Sequence, residues 1–285
     1  MRNLTKDNIT ESVLNTIDPQ ASPRQREVIS AMIRHLHAFV KEVSLTHEEW
    51  MTAVDFLYRA GQISGPTRNE FILISDMLGV SSLVDILNDR APEATETSAL
   101  GPFYVENTPM LEVGGGMIDD NAGEQGIVRG RVLTPVGEPI PGALLEIWQT
   151  ADNGQYENMD PNQAANNLRR RQRSDEGGHY AIKSIKPVSY KVPEDGPAGE
   201  LLDAMGRHPW RPAHLHFKIT AEGFAPLVTE LYVKEDRYID EDAVFGVRNS
   251  LAVSFVTNPS EEEADQLGLK APFWVVDFDF RLKPE

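Results

Sequence analysis

A change of rhythm constrains this chain of 285 residues more than any other feature. Before about residue 90 its apolar residues recur every three or four positions, and after about residue 126 they alternate, so helices should precede strands. In the first part Ile29, Met32, Ile33, Leu36, Val40 and Val43 share one helical face. Thr46 followed by Glu49 has the capping-box pattern, and the helix it opens carries Trp50, Val54 and Leu57 before stopping near Gly61. Thr67 with Glu70 repeats the device ahead of Phe71, Ile74 and Leu78, and a further short helix is expected from Ser81 or Ser82 to Leu87. Such stripes predict core packing. In so small a bundle they also suit packing against a second subunit.

From Asn88 to Gly126 the periodicity fades and Pro, Gly, Glu and Thr accumulate, which reads as a linker lying partly over the next domain. Strands are then expected at Ile127–Leu133, Ala143–Trp148, His214–Thr220, Leu227–Val233 and Leu251–Thr257. Near the end Trp274, Val276, Phe278 and Phe280 alternate with Val275, Asp277 and Asp279, as in a strand with one buried face. The chain is therefore expected to be an α+β protein: a helical N-terminal unit, residues 1–95, followed by a β-sandwich, residues 96–285.

A formal net charge of −17 argues against binding to a phosphate backbone, so nucleic acid is an unsuitable partner. There is no cysteine, so disulfides, Fe–S clusters and thiolate zinc sites are excluded, and any metal must be held by His, Asp, Glu or Tyr. The polar stretch from Met1 to Gln20 shows no secretory signal, no apolar run is long enough to span a bilayer, and a cytoplasmic location is expected.

Among the seven histidines, His214 and His216 stand two apart in a predicted strand and so share a face. Two imidazoles on one face make half of a metal site. Tyr156 and Tyr190, both in polar, turn-rich surroundings, are candidates for the rest, but spacing alone does not select them.

The stretches Leu100-Gly-Pro-Phe-Tyr104, Gly130 through Thr150, Gly154-Gln-Tyr156, Tyr190-Lys-Val-Pro193 and Trp210-Arg-Pro-Ala-His-Leu-His-Phe217 occur in this order. With them, the chain from about Glu96 to Leu282 resembles the catalytic domain of the intradiol ring-cleavage dioxygenases. The helical part resembles the dimerising domain of the catechol and hydroxyquinol members. The resemblance implies a non-haem Fe(III) ion held by Tyr156, Tyr190, His214 and His216. It implies an aromatic diol or triol and O2 as substrates, a homodimer joined through the N-terminal helices, and room for a phospholipid at that interface. It also implies that the diol binds as a dianion, with Tyr190 the ligand that leaves and takes a proton while Tyr156 stays. Dioxygen then attacks the ring, and a cyclic anhydride is hydrolysed to the open diacid. Arg211, three residues before His214, would stabilise the negative charge that develops on the substrate.

Leu100-Gly-Pro-Phe-Tyr104 and Asp242-Ala-Val-Phe-Gly-Val-Arg248 look like the hydroxyquinol branch, whose product would be 3-hydroxy-cis,cis-muconate, the tautomer of maleylacetate. In that branch Asp76 is the candidate acceptor for the third hydroxyl. Ala99, Leu100, Gly101, Pro102, Phe103, Val192 and Pro193 would flank the ring. Catechol members often carry Gln where this chain aligns Glu230. A carboxylate beside the metal would alter the local charge, whereas an outward-facing Glu230 would not, and the sequence leaves both open. The competing readings are a catechol or chlorocatechol 1,2-dioxygenase, a transthyretin-like binding module, and a divalent-metal enzyme using the His pair with a carboxylate.

Overall fold

The helix starts follow from their caps. Ser22 and Gln25 form a reciprocal capping box at the start of a helix from Pro23 to Glu42. Thr46 and Glu49 do the same for the next, with Glu49 N donating to Thr46 Oγ1 at 3.2 Å and Thr46 N donating to Glu49 Oε2 at 2.8 Å. The computed structural model describes residues 3–65, 68–88, 91–118 and 121–285. The helices in order are α1 (Ile9–Leu14), α2 (Pro23–Glu42), α3 (His47–Ile63), α4 (Glu70–Met77) and α5 (Val80–Asn88). Thr67 lies outside the described residues; the N-cap of α4 is Asn69, whose side chain accepts from Ile72 N at 3.2 Å.

By its packing the chain divides into two compact units, Met1–Tyr58 and Arg59–Glu285, at a point inside α3. Leu73 and Met77 of α4 share a buried cluster with residues from far along the chain, including Val192, Leu202 and Val244. In the first unit no residue of α2 is buried, and Met32, Leu36 and Phe39 are each more than half exposed. Among the described residues, no helix is long and apolar enough to cross a membrane.

The β part consists of β1 (Met110–Leu111), β2 (Gln125–Leu133), β3 (Leu144–Trp148), β4 (Arg169–Arg173), β5 (His179–Ile185) and β6 (Tyr190–Lys191). After α6 (Pro197–Ala204) come β7 (Trp210–Arg211), β8 (His214–Thr220), β9 (Leu227–Val233), β10 (Ala252–Val253) and β11 (Val256–Asn258). Helix α7 (Glu261–Leu267), β12 (Phe273–Asp277) and β13 (Phe280–Arg281) complete it. One sheet has the order β1-β4-β3-β8-β9-β10; the other is β11-β12-β2-β13, with β5 also paired to β2. The main core contains Leu145, Ile147, Leu215, Phe217 and Ile219 of the first sheet, together with Val128, Ile182, Trp274 and Phe280 of the second.

Two strand expectations change. The single strand expected over Leu251–Thr257 is broken: β10 pairs parallel with β9 in one sheet, and β11 pairs antiparallel with β12 in the other. Between them the chain changes sheets, with Phe255 buried at 4.9 Å from Trp274. The strand β12 is buried on both faces rather than one, because Phe273 and Val275 pack with Ala264 of α7 and with Leu269. Strand β4, Arg-Arg-Arg-Gln-Arg, carries no apolar residue by which alternation could reveal it.

Glu70 is fully buried and joins two helix starts. It accepts from Arg68 Nε at 2.9 Å and from the backbone N of Ala198, in the first turn of α6, at 2.9 Å. Glu70→Ala should therefore destabilise the protein by about 3–5 kcal/mol, because it strips a buried charge pair of one member. Urea unfolding measures this; a loss below about 1 kcal/mol would mean that Arg68 is served by Asp195 alone, at 2.7 Å.

Candidate metal centre and substrate site

Alternation on β8 separates structure from chemistry. Leu215, Phe217 and Ile219 enter the sandwich core, so His214, His216 and Lys218 face the opposite side of the sheet. Strand pairing extends that second face sideways. Arg169 of β4 is paired with Trp148 of β3, Trp148 with His216, and His216 with Glu230 of β9. This cross-strand row sets an arginine, an indole, an imidazole and a carboxylate side by side. The Trp148 and His216 rings are stacked, 4.6 Å apart and 7° from parallel.

Two loops bring the tyrosines onto this face. Tyr156 comes from the long connection between β3 and β4, and Tyr190 opens β6, where it is paired with Arg211 of β7. Tyr156 Oη is 2.9 Å from His216 Nε2 and 3.3 Å from Tyr190 Oη; His214 Nε2 is 3.1 Å from His216 Nε2. All four side chains are buried. His214 Nδ1 donates to the carbonyl of Pro212 at 2.7 Å, so the lone pair of this ring is at Nε2, inside the cluster. Asp236 braces both loops: it accepts from Ser189 Oγ, next to Tyr190, at 2.5 Å and from Ala213 N, next to His214, at 3.1 Å.

The electrostatics suit metal ligation. Burial pushes the Tyr156 phenol well above its ordinary range, and proximity to Tyr190 adds to this. Burial also raises Tyr190, with the charge of Arg211 pulling the other way. Both imidazoles are held neutral: burial depresses His214, helped by Arg211, and burial depresses His216 further, against the pull of Glu230. Two neutral imidazoles and two phenols form a donor set whose phenols a hard cation would deprotonate and hold.

Glu230 faces inward and is completely buried. Its oxygens receive Arg211 Nη1 and Nη2, both at 2.9 Å, Ser98 Oγ at 2.8 Å, and the hydroxyl of Tyr232. Burial alone would raise its pKa, but Arg211, His214 and His216 hold it well below the ordinary range. On its other edge Arg211 meets Asp242, at 3.1 Å through Nε and 3.2 Å through Nη2. Asp242 is in turn fixed by the backbone N of Gly246 at 2.9 Å. A Cβ on Gly246 would lie 2.5 Å from Tyr232 Oη and 2.9 Å from Arg211 Nη2, so only glycine lets this loop close on the arginine.

His214, His216 and Glu230 also form a cluster with metal-binding potential. Glu230 Oε1 lies 3.1 Å from His216 Nδ1, in a direction that makes no hydrogen bond, and 3.3 Å from His214 Nε2. It thus meets His216 at the nitrogen opposite the one that faces Tyr156. A single ion cannot take both faces of that ring, and the Glu230 oxygens are already occupied.

Of the expected ring-flanking residues, two touch the cluster. The Phe103 ring is 4.8 Å from Tyr156, and a Cβ on Gly101, at φ 72°, would be 3.5 Å from His216 Cε1. Val192 packs with Leu73, Met77 and Val244. Ala99, Pro102 and Pro193 are half-buried and Leu100 is exposed, on the same two segments. Asp76 is buried at 4% exposure and lies within electrostatic reach of Arg211 and Glu230. Sequence reasoning missed Ser98, Tyr232, Asp242, Val244 and Arg169. Asp242 was in plain view in the Asp242–Arg248 stretch, and Arg169 in an arginine-rich strand of an acidic chain.

Three comparisons fit this arrangement. Residues 99–284 match the family model described as Dioxygenase, and residues 22–96 match the one described as Catechol dioxygenase N terminus. A hydroxyquinol 1,2-dioxygenase of Rhizobium sp. (strain MTP-10005) is 44% identical over 275 residues, covering 95% of this chain and 93% of that protein. The structure of a hydroxyquinol 1,2-dioxygenase from Pseudomonas putida DLL-E4 superposes with a TM-score of 0.88 at 45% identity, over 98% of this chain and 99% of that one. The wild-type catechol 1,2-dioxygenase of Acinetobacter radioresistens gives a TM-score of 0.87 at 27% identity, over 100% and 95%.

Burial raises the Asp76 carboxyl from its ordinary 3.8 to about 6, against opposing contributions from Ser81 and Arg211. A raised folded-state pKa means that the folded protein binds this proton more tightly than the unfolded chain. Stability from this group is therefore lost as pH climbs from about 4 through about 6, by up to about 3 kcal/mol. Metal-free Asp76→Asn should match the parent protein at pH 4 and exceed it at pH 7.5 in urea unfolding. A pH-independent difference would show that Asp76 ionises as freely in the fold as in the unfolded chain.

Proposed function

The chain belongs to the intradiol ring-cleavage dioxygenase family, and on that premise we propose that it is an Fe(III) enzyme that opens hydroxyquinol, benzene-1,2,4-triol, between its two adjacent hydroxylated carbons. Both atoms of O2 enter the product, 3-hydroxy-cis,cis-muconate, the tautomer of maleylacetate. The observation that carries this reading is the meeting of four buried donors, linked by hydrogen-bond distances in the order Tyr190, Tyr156, His216 and His214. The family is iron-dependent, and the donor set fits iron(III): two phenolates would offset two of its three charges, and two neutral imidazoles complete the set.

Bound iron(III) would supply a Lewis-acidic centre at which the diol and dioxygen meet. The protein supplies the rest. Tyr190, which lies within electrostatic reach of Arg211, is our candidate for the group that takes a substrate proton at Oη. Arg211 is the fixed cation for charge developing on the substrate. Clamped between Glu230 and Asp242, it needs little reorganisation as the reaction proceeds. Apolar side chains around Val192, with Gly101 near His216 and Phe103 packed against Tyr156, flank the ring. Asp76 accepts the hydrogen bond of the third hydroxyl. This preference for the triol agrees with the greater identity to two hydroxyquinol relatives, 44–45%, than to catechol enzymes, 27–36%.

We also propose that the exposed apolar face of α2 is covered by a second copy of the chain, giving a homodimer. A groove of about 580 Å³ in the first unit, lined by Ile9, Val40, Leu45 and Trp50 with Lys6 and Lys41, suits the acyl chain and phosphate of a phospholipid.

Two measurements test the function. The iron-loaded protein should show a broad visible tyrosinate charge-transfer band that shifts on anaerobic addition of hydroxyquinol, and Tyr156→Phe should lose most of the iron and the colour. A colourless protein after iron(III) loading would remove the tyrosines from the metal. For the substrate, Asp76→Asn should lower kcat/KM for hydroxyquinol relative to catechol by about 10- to 100-fold, the worth of a hydrogen bond to a charged group. An unchanged ratio would return the choice between the two substrates to the rest of the pocket.

A further inference from the structure

The charge of Arg211 acts on both tyrosines of the site, and a second arginine, Arg169, lies over the ring of Tyr156 and is placed differently. Arg211 is ion-paired on two edges and shares the charge of Glu230 and Asp242. Arg169 lies on the other side of the donor set, at the far end of the row that runs through Trp148 and His216 to Glu230. Its guanidinium carbon is 5.4 Å from the centroid of the Tyr156 ring. It is 1% exposed, and among the described residues its ion pair is with Glu157, at 2.5 Å through Nε. Nη2 reaches only to Asn158 Oδ1, at 3.4 Å, and Nη1 is buried without a hydrogen-bond partner.

A buried ion pair is a poor source of stability, since an apolar side chain of similar volume fills such a place as well or better. A buried guanidinium with an unserved nitrogen is poorer still. The position is specific, because Arg170 and Arg171 on the same strand are only half-buried and bond to backbone carbonyls at the rim. What distinguishes Arg169 is the aromatic face beneath it. A cation over a phenol ring favours the ring's electron density and, more strongly, its anion.

We propose that the Arg169–Glu157 pair is an electrostatic setting for Tyr156: the arginine stabilises the Tyr156 phenolate, the glutamate moderates it, and together they make the two tyrosines unequal so that Tyr156 is the retained ligand. Arg169 is thus a positioning residue that acts through Tyr156. The proposal rests on the reading of Tyr156 and Tyr190 as iron(III) ligands.

The test is the tyrosinate-to-iron(III) charge-transfer band of the iron-loaded protein and of two variants, with resonance Raman spectra of the phenolate C–O stretches. A cation near the donor phenolate lowers its energy and moves the band to shorter wavelength. Arg169→Met should therefore move the band to longer wavelength and Glu157→Gln to shorter wavelength, with one of the two tyrosinate C–O modes moving and the other staying. Opposite shifts from the two members of one ion pair are not produced by loosened packing, which would move both variants the same way. Shifts of the same sign, or none, would overturn the proposal. If Arg169→Met fails to hold iron, Glu157→Gln decides alone: a shorter-wavelength band supports the setting and an unmoved band overturns it. Absence of any such band in the parent protein would instead remove the ligand reading beneath it.

Discussion

The site depends on one buried cation. Arg211 is 3% exposed, and it is tolerable there because two carboxylates grip it from two edges and the hydroxyl of Tyr232 accepts from it at 3.1 Å. Three segments are fixed by this grip. Glu230 ties it to β9, beside His216. Asp242 ties it to the loop that ends at Arg248. Ser98, whose hydroxyl lies 2.8 Å from Glu230 Oε2 and 2.9 Å from the carbonyl oxygen of Gly246, ties both to the segment that carries Gly101 and Phe103. Removing Arg211 would leave Glu230 and Asp242 buried and uncompensated, so the geometry and the local stability of the site are coupled here.

Charge balance gives this arrangement its sense. Arg211, Glu230 and Asp242 carry one positive and two negative charges. A ferric ion with two phenolates would carry a net charge of one. The two groups together would be neutral, which suits a site closed off from water. Asp76 stands at the edge of this balance. Its carboxyl, raised by burial to about 6, exchanges its proton not far from neutral pH.

The sheet itself does the sorting. A period of two sends alternate residues of β3 and β8 into the hydrophobic core and their neighbours onto the chemical face, so the stacking of Trp148 on His216 follows from register. The helical part obeys a different constraint. Its stripes are regular and well capped, yet a single chain leaves them exposed, with Leu36 at 55% and Phe39 at 52%. A surface of that kind asks for another apolar partner.

Much of this was open to reading from the chain alone. Local rules determined the capping box of α3, the limits of β8 and β9, and the shared face of His214 and His216, because caps and alternation depend on neighbours in sequence. The motif order pointed to Tyr156 and Tyr190, which spacing could not select. The broken strand after Leu251, the double burial of β12 and the polar strand β4 could not be read this way. Each depends on which segment covers the other face, and hydropathy does not carry that information. The same holds for the charges. Glu230 could have faced inward or outward, and only strand pairing set it beside His216 and under Arg211. Asp242 and Arg169, distant in sequence from the groups they touch, gained their places from tertiary contact. Sequence alone determined which side chains were available and how each strand and helix would face. Tertiary structure decided which charges share a dry interior, because electrostatic energy there depends on distances between residues far apart in the chain.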